Sequence, residues 1–171
     1  MLFNKHLKLE ISELREKLSS LEQVRESLDI EMLSLKLDPT GIITSVNRLF
    51  ETEMGYSADS LISHSLLKLV PAESQNTEHF RKLKDAIQYG KHWAGAMEIL
   101  RGNQEKAWLR AIVQPIKNSN GAITHISVYG SDLTRTIETS REYENLINAL
   151  QRSTAVIEFS LDGHILTANQ R

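Results

Sequence analysis

The chain begins to repeat itself shortly before it stops. Residues 35–47 read LKLDPTGIITSVN and residues 157–169 read IEFSLDGHILTAN. Gly41 aligns with Gly163, Ile43 with Ile165 and Asn47 with Asn169, each pair 122 positions apart. That interval is about one domain long, and self-similarity at a fixed interval marks a repeated module. The expected organisation is a helix over residues 1–30, one complete module over 31–134, a connecting helix over 135–154, and the opening of a second, truncated module over 155–171. The last stretch holds only one hairpin and cannot bury a core alone, so it is expected to be disordered or to lend a strand to another surface.

Bulk properties narrow the class. With 171 residues, 40% of them hydrophobic, the chain can bury a real core. Its net charge is −2 with both signs interspersed, which argues against a nucleic-acid footprint and against an electrostatic membrane anchor. The absence of cysteine rules out disulfides and thiolate metal sites and suits a reducing cytosol. No apolar run approaches the roughly 20 residues that cross a bilayer, and no signal-peptide core is present at the N-terminus. The expectation is a cytoplasmic chain with no membrane insertion and no nucleic-acid partner.

Residues 5–30 contain no Gly or Pro. With Leu7, Leu14, Leu21 and Leu28 at heptad position d, Ile11, Leu18 and Arg25 fall at a, giving about three heptads with one polar interruption. Glu10 would then face Arg15, and Lys17 would face Glu22, of a parallel partner. These opposite charges point to a homodimeric coiled coil through residues 5–30.

The module between the repeats reads as two strands, short helices, a longer helix and three further strands. Glu31–Leu37 and Ile42–Val46 flank the turn Asp38-Pro39-Thr40-Gly41 as a hairpin. Asn47 is a good N-cap for a helix ending at Gly55. Leu61 to Val70 is an apolar cluster, and Thr77 starts a helix over His79–Tyr89 closed by Gly90. Strands follow at Trp93–Arg101, Lys106–Ile116 and Ile123–Ser131, with turns at Gly102-Asn103 and Asn118–Gly121. Five strands with helices inserted after the second predict an α+β fold: an antiparallel sheet with short helices on one face, and a pocket between sheet and helices.

This order of elements resembles the PAS domain. The matching residues are the Gly41-to-Asn47 hairpin, the turn Met54-Gly55-Tyr56-Ser57 followed by Leu61, and the run LLKLVP. Further matches are the stretch Gly90–Gly95 before a strand, AWLRAIVQPI, the Asn-Gly turn and the closing Asp132-Leu133-Thr134. Ser63 departs from the pattern, which often has Gly there. The stretch Gly90–Thr134 is most similar to PAS domains of soluble methyl-accepting chemotaxis receptors of the tandem-PAS, aerotaxis or energy-taxis type.

That resemblance implies a sensory module, with candidate ligand-holding residues at three positions. His79 occupies a place on the long helix similar to the proximal histidine of haem-binding PAS domains, so it would be the metal ligand if haem b were bound. His64 lies near the short helix from which other haem PAS domains draw a ligand. Trp93, in the run Lys91-His92-Trp93-Ala94-Gly95, is similar to the tryptophan of FAD-binding PAS domains in aerotaxis receptors, and core packing is its ordinary alternative. A cysteinyl flavin adduct is excluded by the absence of cysteine. Trp108 and His125 are expected on the outer face of the sheet. The cofactor is left open between haem b, FAD and none.

Residues 134–152 lack Gly and Pro and carry Ile137, Tyr143, Leu146, Ile147 and Leu150 at helical spacing. In the resembling family, the equivalents of Asp132 and Thr134 tie the sheet to the outgoing helix, which makes these two the expected signal-relay residues. No GxSxG, P-loop or HExxH motif occurs, so no catalysis is expected. The favoured function is the sensory part of a chemotaxis receptor responding to oxygen, redox state or a small ligand. The alternatives are the sensor region of a histidine kinase or cyclic-dinucleotide enzyme, and a cofactor-free dimerisation module.

Overall fold

A computed structural model describes residues 2–153 and 157–168 and divides the chain into two compact units, residues 1–132 and 133–171. Ala155 and Asn169, which enter the repeat, lie outside the described residues. In the first unit, the long helix α1 (Leu2–Glu31) leads into β1 (Leu33–Leu37) and β2 (Ile43–Val46). Helices α2 (Arg48–Met54) and α3 (Ala58–Leu61) follow, then 3₁₀ turns at Leu66–Leu69 and Ser74–Asn76, then α4 (Glu78–Gln88). The unit closes with β3 (Trp93–Leu100), β4 (Lys106–Lys117) and β5 (Ile123–Asp132).

The five strands form one antiparallel sheet in the order β2-β1-β5-β4-β3, so the first strand sits beside the last. Alternation decides which face is covered. Along β4, Ala107, Leu109, Ala111 and Val113 are buried, while the residues between them are at least partly exposed. The buried face meets Phe50, Met54, Leu61, Leu66, Leu83 and Ile87 from the helical segment, which makes a single core. This is the PAS fold, preceded by a long N-terminal helix.

Two local observations explain sequence features. Ser63 adopts φ +70, the left-handed region that favours glycine, which accounts for the Gly common at this position in similar sequences. Asn47 does more than cap α2. Its side-chain oxygen accepts from the Phe50 N–H at 2.9 Å and the Ser34 N–H at 3.0 Å, and its amide nitrogen donates to the Asp29 and Met32 carbonyls at 2.8 Å each. One side chain therefore satisfies orphan groups of two helices and the start of a strand.

The second unit holds α5 (Thr134–Ser153) and an antiparallel hairpin of β6 (Ile157–Phe159) and β7 (Ile165–Ala168). Where disorder or a borrowed strand is expected, the described residues pair with each other. Their turn carries the same local hydrogen bonding as the β1–β2 turn, so hairpin formation does not wait for a core.

Candidate functional site: the interior, the β3 edge and the exit clasp

Beneath Phe50 and Leu66 the space between sheet and helices is nearly filled. The cavity left there is about 10 Å³, walled by apolar side chains that include Leu35, Phe50, Leu66, Met97 and Leu109. That is the volume of about one water, and a space so apolar stays dry. Phe50, Leu66 and Met97 are buried against that small cavity, which is far smaller than a haem or flavin.

The three candidate ligand-holding residues do not meet in that interior. Trp93 is buried and folds back on its own strand: a Cβ placed on Gly95 would sit 2.8 Å from its Cζ2. The indole fills core volume. His64 is exposed, with Nδ1 3.3 Å from the Ile62 carbonyl oxygen. His79 is exposed on the first turn of α4 and lines a different cavity. With no shared volume and no converging imidazoles, these residues as arranged do not fit haem b or FAD. Among the described residues, no group of three or more His, Asp or Glu is placed to hold a metal ion.

That different cavity, about 90 Å³, lies at the open edge of β3. Val70, Thr77, Phe80 and Leu83 cover it from the helical side, and Met97 and Trp108 belong to the sheet. Glu98 is half-buried at its margin and its carboxylate accepts from the Ser74 hydroxyl. The neighbouring Glu73 pairs with Lys106 on β4. The Glu73 hydrogen bond, with a further contribution from Glu98, raises the Lys106 pKa above its ordinary value. The segment between Val70 and Thr77 is thus strapped to the sheet edge by two side-chain contacts, and Gln75 Nε2 donates to the Val70 carbonyl at 3.0 Å.

The third region lies where the sheet ends. The Gly102 N–H donates to the Met54 carbonyl at 2.8 Å, and the Tyr56 hydroxyl to the Leu100 carbonyl at 2.8 Å. Burial raises the Tyr56 pKa, which keeps the donor protonated. Gly102 sits so near the α2 terminus that an added Cβ would fall 1.9 Å from the Gly55 carbonyl oxygen. Arg101, beside it, donates to the Glu53 carbonyl and pairs with Asp132, the last residue of β5, both side chains being about one-fifth exposed. Asp132 is therefore joined through one guanidinium to the C-terminus of α2. Thr134, the other expected relay residue, opens α5.

Sequence reasoning names Asp132 and misses Arg101, Glu53, Glu98 and Ser74. Gly102 is a usable signal for the clasp, because a glycine there marks a backbone that something approaches closely, whereas Gly55 answers to the left-handed φ of +68 that ends α2.

A family model described as PAS domain matches residues 31–135, more than half of the chain. The chain belongs to the PAS domain family. It is 30% identical over 143 residues to the biofilm dispersion protein BdlA of Pseudomonas aeruginosa, an alignment covering 84% of this chain and 34% of that protein. The chain thus spans about a third of this curated relative. Among solved structures, it is similar to an RNA-binding light-oxygen-voltage receptor, with TM-score 0.61, 23% identity, and coverage of 74% of this chain and 36% of the other. It is also similar to the LOV domain of a blue-light activated histidine kinase from Erythrobacter litoralis, with TM-score 0.56, 18% identity, and coverage of 61% and 97%. These two likenesses carry the fold. No helix among the described residues is long and apolar enough to cross a membrane.

Proposed function

We propose that this PAS module is the sensory and signal-transducing portion of a cytoplasmic, tandem-PAS chemotaxis receptor, a non-enzymatic part that senses a small ligand or redox change and signals through paired helices. The carrying observation is the exit clasp. Asp132 ends the sheet, and Arg101 joins it to the α2 carboxyl end, whose Met54 and Phe50 are buried in the core. A displacement of α2 has a short bonded route to the last residue of the sheet, two positions before the outgoing helix. Such a link biases a two-state exit rather than driving it, as population-shift signalling requires.

The similarity to a protein named for biofilm dispersion supports a role in a bacterial behavioural response. Pairing is assigned to α1, where Leu7, Ile11, Leu14, Leu18 and Leu21 are all exposed on one stripe. An unpartnered stripe of that pattern is satisfied by a second copy of the same helix.

The test uses the full-length receptor. Arg101→Ala and Asp132→Ala are expected to alter the output to the same extent, and the double variant to add nothing further. Two independent, additive effects would remove the clasp from the signalling route. A chain starting at residue 32 is expected to sediment as a monomer where the intact chain is a dimer.

A further inference from the structure

We propose that the cavity at the β3 edge binds a small alkylammonium ion, with the ammonium on Glu98 and the alkyl body against Val70, Phe80, Leu83 and Met97. This deepens the sensory reading and rests on it for its consequence in signalling, whereas the binding itself can be tested without any receptor output.

Size comes first. At about 90 Å³ the cavity is smaller than the roughly 150 Å³ space known to hold a benzene ring. A body of roughly four carbons fills it, and a haem or flavin does not. Val70, Phe80, Leu83 and Met97 give it a mostly apolar wall, so a ligand gains from burying hydrocarbon there.

Polarity comes second. Among the described residues, Glu98 is the one carboxylate lining the cavity and His79 the one basic residue. A carboxylate has about four acceptor positions, and the Ser74 hydroxyl uses one of them. Of the cations near Glu98 on the sheet, Lys106 is engaged by Glu73, and Arg110 stands on β4 opposite Ala96, two residues from Glu98. An ammonium seated in the cavity on the Ser74 side of Glu98, away from Arg110, would make a charge-assisted hydrogen bond with that carboxylate. Trp108, directly opposite Glu98 in the register, lines the same cavity and adds the attraction of an indole for a cation.

Coupling comes third. The ligand and Ser74 share one carboxylate, so an ammonium there draws charge from the acceptor and weakens the contact that straps the Val70–Thr77 segment to β3. Loosening that strap frees the start of α4, whose cap is Thr77.

The probe is isobutylammonium, titrated into the full chain and followed by calorimetry and tryptophan fluorescence, with isobutanol as the neutral body of the same shape. Saturable binding of the ammonium is expected in the millimolar range, with isobutanol at least about tenfold weaker. Glu98→Gln keeps an acceptor for Ser74 and is expected to weaken the ammonium by about tenfold or more. Ala96→Leu is expected to abolish binding by filling the mouth. No saturable signal, equal binding of isobutanol, or an unchanged affinity in Glu98→Gln each overturns the proposal. Binding without any effect on receptor output would leave this site standing and count against the sensory role.

Discussion

The β1–β2 and β6–β7 hairpins have the same geometry and opposite surroundings. Leu35 pairs with Val46, and its counterpart Ile157 with Ala168; Leu37 pairs with Ile43, and Phe159 with Ile165. Both carry a bulge at the same place, between Lys36 and Leu37 and between Glu158 and Phe159. Both turns put their glycine at nearly the same φ, +90 for Gly41 and +87 for Gly163. The Ile42 N–H is accepted by the Asp38 carboxylate at 3.0 Å, and the His164 N–H by the Ser160 hydroxyl at the same distance. Yet Leu37 and Ile43 are fully buried, whereas Phe159 and Ile165 are 58% and 64% exposed. Local chemistry makes the hairpin, and the rest of a module decides what it is worth.

Truncating the equivalent side chain in each copy separates those two contributions most sharply. Leu37→Ala is expected to cost the first unit about 3 kcal/mol, read by urea denaturation. Phe159→Ala should leave that transition unmoved, because it buries little. Equal losses would mean that the second hairpin is covered in solution.

A smaller contrast lies in the turns. Gly41→Ala places a Cβ 2.6 Å from Ile87 Cγ2 on top of an unfavourable φ, whereas Gly163→Ala meets open space at the same φ. The expected costs are roughly 2–3 kcal/mol and about 1 kcal/mol respectively, the second confined to hydrogen exchange in residues 157–168. A Gly41→Ala chain that melts like the parent would show that Ile87 yields freely.

The smallest effects concern charge. The Asp38 pKa is lowered, chiefly by the Thr40 hydroxyl and then by the Ile42 N–H. A depressed carboxyl pKa stabilises the fold above the ordinary aspartate value and ceases to do so as pH falls through the folded value. In the second turn the roles are exchanged: the Ser160 hydroxyl donates to Asp162, whose pKa is lowered mainly by that bond. The double change Asp38→Ser with Thr40→Asp is therefore expected to shift neutral-pH stability by less than about 0.5 kcal/mol. Asp38→Ser alone should flatten the acid limb of the stability profile of the first unit. An unaltered acid limb would assign it to other carboxylates.

The strands, their turns and the side of the sheet that is covered were legible because each rests on residues a few positions apart. The period-two pattern of β4 and the cap at Asn47 are examples. The clasp was only half legible: Asp132 stands out in its closing motif, but Arg101 lies 31 residues upstream and nothing local announces the pairing. The interior was not legible. Whether Phe50, Leu66 and Met97 leave room for a cofactor depends on the summed volumes of side chains from six elements, and no stretch of sequence carries that sum. For the same reason His79 resembles a ligand by its place on α4 yet stands exposed beside another cavity, since one turn of rotation decides what an imidazole faces.

Asn47 leaves the N-terminal stalk little independence. One amide grips the Asp29 and Met32 carbonyls as well as the first strand and the first short helix, so the end of α1 and the start of α2 share one hydrogen-bonded joint. A twist of α1 and a tilt of α2 are therefore expected to go together, as in a lever bolted to its load.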